Sequence, residues 1–100
     1  MNEARESTRH ASRQDVYAAI DSERDYQDKR WNAATTTSKG LHSQTEWIAY
    51  MEDYLREAKH LLARTPKQDA RDGVNHIMRK VLAMGVCCME EHGAPNREAS

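Results

Sequence analysis

The sequence predicts an all-α protein: an antiparallel helical hairpin plus an N-terminal helix, with the three-helix bundle completed by oligomerisation. Three observations predict it. Long stretches without Gly or Pro carry apolar residues at helical spacing. Two of them open on Ser/Thr-x-x-Glu/Gln, the pattern of a helix start. No stretch alternates polar and apolar residues as a half-buried strand would. One hundred residues allow one domain, and 38% hydrophobic residues with no Phe leave little material for a core. A chain of this size buries only about 60–65% of its unfolded surface, so self-association is the expected way to cover more.

Residues 1–12 are polar and without periodicity, and read as a flexible arm. A single helical domain is expected over 13–93, with a C-terminal tail at 94–100. In the first helix, from about Asp15 to Trp31, Val16, Ala19 and Ile20 begin an apolar stripe that Trp31 finishes. Its middle is odd, because Glu23, Arg24, Gln27 and Asp28 stand where the stripe should continue. Such residues either lie at an exposed helix edge or contribute to a buried polar site.

The second helix should start at the capping box Ser43-Gln44-Thr45-Glu46 and run to about Arg64. Trp47, Ile48, Met51, Tyr54, Leu55, Ala58, Leu61 and Leu62 then form one wide apolar face. Thr65-Pro66-Lys67-Gln68 repeats the start signal, with Thr65 as cap and Pro66 at the first helical position. The third helix should continue to about His92 and stop at Gly93, with Pro95 beyond. Its apolar face is Val74, Ile77, Met78, Val81, Met84, Cys88 and Met89. Gly73 inside it predicts a kink or a close helix crossing. The adjacent Cys87 and Cys88 read as reduced, small apolar residues, since neighbouring helix positions diverge by about 100° and a vicinal disulfide is strained.

Fifteen Lys and Arg against sixteen Asp and Glu give a net charge of −1. That balance speaks against general DNA binding or a membrane-surface role, both of which draw on a basic excess. No apolar run approaches the roughly 18 residues of a membrane span, so a cytosolic protein is expected. No Walker loop, Rossmann fingerprint, paired-cysteine zinc site or HExxH helix is present.

Candidate chemistry gathers in three places. On the second helix Glu46, Tyr50, Asp53, Glu57, His60 and Arg64 share one side, next to the apolar face. Asp53 and Glu57, one turn apart, have the spacing of an oxygen-ligand Mg²⁺ site, or are simply a solvated face. On the third helix His76, Arg79 and Lys80 could hold an anion or form salt bridges to the second helix. Between the two tryptophans, "TTTSKG" delivers the chain to the Ser43 cap, near backbone N–H groups that favour anions. Thr36, Thr37 and Lys39 are its ligand candidates, because Ser43 uses its hydroxyl in the capping box. Trp47 reads as core, and Trp31 as the better stacking residue.

The segments "SERDYQDKRW", "TTTSKGLHSQTEWIAYMEDYLREAKH" and "IMRKVLAMGVCCMEEHGAPNR" resemble small phage-encoded proteins described as MazG-like. The resemblance covers about residues 20–97. It implies kinship with all-α nucleoside triphosphate pyrophosphohydrolases, oligomers whose EExxE and ExxD motifs bind Mg²⁺. This chain departs from the pattern. With Asp53 and Glu57 as outer acids, Tyr54 replaces the middle one; with Glu52 and Asp53 as the first two, Arg56 replaces the third. Asp69 and Asp72 have DxxD spacing but lie at a helix start. Too few carboxylates and added cations imply a non-catalytic nucleotide binder without a cofactor, a homo-oligomer in the cytoplasm of an infected bacterial host. Such a protein could sequester signalling nucleotides of host immunity, cyclic ones among them. Trp31, Thr36, Thr37, Lys39, Tyr50, His76, Arg79 and Lys80 would contact the ligand. One alternative is a Mg²⁺-dependent pyrophosphohydrolase with Glu23, Asp53, Glu57, Asp69 and Asp72 as metal ligands. A second is a helical protein-binding inhibitor of a host enzyme.

Overall fold

A computed structural model describes residues 9–30 and 41–98. The described residues form three helices: α1 (Arg13–Arg30), α2 (Gln44–Arg64) and α3 (Lys67–His92). There is no strand among the described residues, and no described helix is long and apolar enough to cross a membrane.

Each helix begins and ends for a local reason. α1 starts two residues before the expected Asp15. Its cap is Ser12, whose hydroxyl accepts from the Asp15 N–H (3.0 Å) while the Asp15 carboxylate accepts from the Ser12 N–H (3.3 Å). Lys29 and Arg30 in the last turn suit the negative end of the helix dipole. At α2 the expected capping box is complete: Ser43 N–H donates to Glu46 Oε1 (2.7 Å) and Glu46 N–H to Ser43 Oγ (3.1 Å). The backbone N–H of Ser43 holds the exposed Glu46 carboxyl below its usual range.

The start of α3 differs from expectation. Thr65 ends α2 and Pro66 is the cap residue, without any side-chain cap bond. The reason is the proline itself, which pushes the residue before it to extended backbone; Thr65 has φ −131° and ψ 139°. The Pro66 carbonyl instead accepts the first N–H groups, from Asp69 (2.9 Å) and Ala70 (3.0 Å). α3 stops as expected at Gly93, whose φ of 120° only glycine adopts readily and whose N–H donates to the Met89 carbonyl (2.8 Å).

α3 is the central helix. It packs against both α1 and α2, which do not pack on each other. Leu61 beside Gly73, Met51 beside Gly85 and Trp47 bonded to Glu91 show that α2 runs antiparallel to α3, as the short connection requires. His10 with Arg71, Glu23 with Arg79 and Gln27 with Cys87 rise together, so α1 runs parallel to α3. Gly73 marks a close crossing. A Cβ there would stand 2.8 Å from Leu61 Cδ2.

The buried apolar set is small: Trp47, Ala58, Ala70, Val81, Ala83, Met84 and Cys87. Trp47, Met84 and Cys87 form its centre, flanked by Met51, Tyr54 and Cys88. Two expectations change here. Ile48, Leu55, Leu62, Met78 and Met89, all assigned to apolar faces, are exposed. Ala83 and Cys87, which lie beside the α3 stripe, are buried because α1 covers a second side of α3.

Candidate functional site

α1 docks through polar groups. Its two buried residues are Glu23 and Gln27, at 7% and 3% exposure. They are two of the four residues that interrupt the apolar stripe in the sequence; the structure selects the buried-site reading for these two and leaves Asp28 exposed. Arg79 Nε of α3 donates to Glu23 Oε1 at 2.7 Å, and Arg79 Nη1 donates to His76 Nδ1 at 2.8 Å. Four residues further along α1, Gln27 Oε1 accepts from the Cys87 thiol at 3.5 Å. Arg24 Nη2 bridges Glu90 (2.7 Å) and Asp28 (2.8 Å). Burial works against the Arg24 charge, but its bonds to Glu90 and Asp28 outweigh that and raise its pKa. Its Nε and Nη1 are buried without a hydrogen-bond partner among the described residues.

A second cluster joins the start of α2 to the end of α3. Glu91 Oε1 accepts from the Trp47 indole (2.8 Å) and from the His42 N–H (3.1 Å). His92 Nε2 donates to the His42 carbonyl at 2.7 Å. The rings of His42, Trp47 and Tyr50 meet edge to face, with centroids 5.1–6.0 Å apart. Glu91 therefore fixes the entry of the chain into α2 from its far end, a role with no signal in the sequence.

α1 and α2 both pack on α3 and not on each other. Trp47 of α2, Gln27 of α1 and Met84 and Cys87 of α3 are all buried. Toward the middle of α3, Lys80 is half-buried with its ammonium 5.7 Å from the centre of the Tyr54 ring, and His76 is exposed beside Arg79. At about 100° per residue, Tyr50 and Glu57 turn to this same side of α2.

The structure pairs His76 with Arg79, turns Lys80 to Tyr54 of α2, and leaves Tyr50 exposed on α2. Trp31, Thr36, Thr37 and Lys39 lie outside the described residues. The alternative of salt bridges from His76, Arg79 and Lys80 to α2 is not seen among the described residues: Arg79 turns to Glu23 of α1, and Asp53 pairs with Arg56 of its own helix at 3.0 Å. Of the candidate metal ligands, Asp53, Glu57, Asp69 and Asp72 are exposed, and Glu23 is buried against Arg79. Among the described residues no three His, Cys, Asp or Glu side chains are grouped to hold a metal ion. A shallow depression of about 250 Å³ is lined by His60, Ala63 and Arg64; it takes two residues from the polar side of α2 but none of the proposed nucleotide or metal ligands.

Cys87 and Cys88 are free thiols. Burial pushes the Cys87 thiol up to about 11; the nearby Arg24 charge opposes this, while Glu90, Asp28 and Glu91 add to it. Cys87 is thus a protonated donor to Gln27 at neutral pH. In iodoacetamide at pH 7, peptide mass analysis is expected to show Cys88 alkylated at least about tenfold faster than Cys87. Equal rates would place Cys87 in an open environment.

Comparison with protein-family models, with curated proteins and with solved structures gives no match for this chain.

Proposed function

We propose that the protein is a non-catalytic nucleotide binder whose site lies over α3, between α1 and α2. The observation that carries this reading is the company Lys80 keeps. Its ammonium stands over the Tyr54 ring with no carboxylate within 4.0 Å among the described residues, next to the turn that presents His76 and Arg79. A half-buried cation with a ring beside it suits an anionic, π-faced ligand. Arg79, with Nε and Nη1 already engaged, keeps Nη2 for a phosphate oxygen. The acids of α2 and of the start of α3 stay apart, which suits holding a nucleotide better than cleaving one. The resemblance to MazG-like phage proteins, with the acidic motifs incomplete, supports the same reading. A protein of this kind would act by sequestration, as a sponge for signalling nucleotides.

Calorimetry against cyclic and linear nucleotides tests it. At least one is expected to bind with micromolar affinity or better, and Lys80→Ala to weaken it by about tenfold or more. No heat from any of them at concentrations well above micromolar would overturn the proposal. Pyrophosphate release from a nucleoside triphosphate with Mg²⁺, abolished by Glu57→Gln, would replace it with the hydrolase reading. The protein-binding reading draws on a different feature, the apolar surface of α2 and α3.

A further inference from the structure

The described chain leaves a continuous apolar face uncovered. On α2, Ile48, Leu55 and Leu62 repeat every seven residues and share one stripe, about 80° around the helix from the residues that pack on α3. On α3, Met78, Leu82 and Met89 share another, about 100° from the side facing α2 and away from the side facing α1. Because the two helices are antiparallel, both stripes turn to the same side of the hairpin. The register set by Met51 beside Gly85 puts Ile48 level with Met89 and Leu55 level with Leu82. These six residues are 37–54% exposed. With about 200 Å² per large side chain, they leave roughly 500 Å² of apolar surface open, at the upper end of what a monomer shows.

We infer that this face pairs with the same face of a second copy, α2 lying antiparallel on α2, to make a four-helix core. The charges beside the stripe select this occupant and this direction. Glu52 and Lys59 are exposed along the outer edge of the α2 stripe, seven residues apart. A two-fold axis crossing α2 near Leu55 sets Glu52 opposite Lys59 of the partner subunit, and Lys59 opposite the partner's Glu52. One surface thereby supplies two opposite-charge pairs, as a self-complementary interface requires. The same axis crosses α3 near residue 80, so Met78 meets Leu82 of the partner subunit. A parallel arrangement sets each charge level with its own copy and gains nothing from them. The area agrees: roughly 500 Å² is the apolar share of the about 800 Å² that each partner gives to a standard interface. The residues of the proposed nucleotide site, Lys80 and Tyr54 among them, turn to the other side of the hairpin, so the two surfaces do not compete.

Sedimentation of the full chain at tens of micromolar is expected to give twice the monomer mass. Leu55→Glu with Leu82→Glu is expected to give a monomer with unchanged helicity. Glu52→Lys or Lys59→Glu alone should weaken the dimer about tenfold, and the two together should restore it. These exposed positions keep the test intact should the glutamate pair unfold the hairpin. A wild-type monomer at those concentrations would overturn the inference, as would a dimer indifferent to Leu55→Glu with Leu82→Glu. Failure of the charge swap to restore association would overturn the antiparallel register.

Discussion

Arg79→Ala is expected to cost about 3 kcal/mol of folding stability, more than Glu23→Ala, which should cost about 1–2 kcal/mol. The asymmetry follows from burial. The Glu23 side chain is 8% exposed and the Arg79 side chain 28%. Without Arg79 a carboxylate stays beneath α3 with no cation beside it and little access to water. Without Glu23 the guanidinium keeps His76 and reaches solvent. Replacing both, as in Glu23→Leu with Arg79→Met, should recover most of the loss, because a well-packed apolar pair of similar volume avoids the desolvation of both ions. Urea denaturation of the nucleotide-free protein gives the stabilities of the wild type and the three variants. Hydrogen exchange in α1 should rise first in Arg79→Ala, since the contacts of α1 run through α3 alone among the described residues. Equal losses from the two single variants would show that the pair is as wet as a surface salt bridge.

The helices themselves were legible because their ends are written in local chemistry. Ser43 with Glu46 and Gly93 with its positive φ act within a few residues, and both fall where the pattern puts them. Ser12 with Asp15 acts in the same way but uses Asp in place of Glu or Gln, so the apolar stripe is the clearer sign of α1 and places its start two residues late. At Thr65 the local signal conflicted with the restriction that Pro66 imposes on its predecessor, and the restriction prevailed.

Packing was less legible, because it depends on which helix covers which face. One wide apolar face on α2 is what the sequence shows, yet a single neighbour covers only part of it, and Ile48, Leu55 and Leu62 remain outside. The candidate cations show the same limit. Spacing puts His76, Arg79 and Lys80 on one polar side, but Arg79 reaches back to α1 while Lys80 leans on Tyr54 of α2. Spacing along α3 cannot reveal that split, since it arises from two neighbours on different sides of one helix. The sign that did survive in the sequence is the interrupted stripe of α1. Glu23 and Gln27 stood where apolar residues belong, and both are buried against α3.

Trp47→Ala should be the most damaging single change, with a loss of about 3–5 kcal/mol. Trp47 is 3% exposed, and with Met84 and Cys87 it forms the centre of a core that contains few large side chains. Removing an indole from such a core leaves a cavity that the remaining residues are too few to fill. It also removes the N–H that donates to Glu91, the carboxylate that holds the His42 backbone at the entry to α2. Trp47→Phe separates the two effects: it keeps most of the volume, loses the indole bond, and should cost about 1–2 kcal/mol. A domain of this length holds about 5–15 kcal/mol in all, so Trp47→Ala uses up a large part of it. With about 4–8 °C per kcal/mol for a domain of this size, its melting temperature should fall by roughly 12–40 °C. A calorimetric scan of the two variants decides the matter. A fall of only a few degrees in Trp47→Ala would mean that the core between α2 and α3 is held elsewhere, and that the second-copy face contributes more to stability than the folded chain does alone.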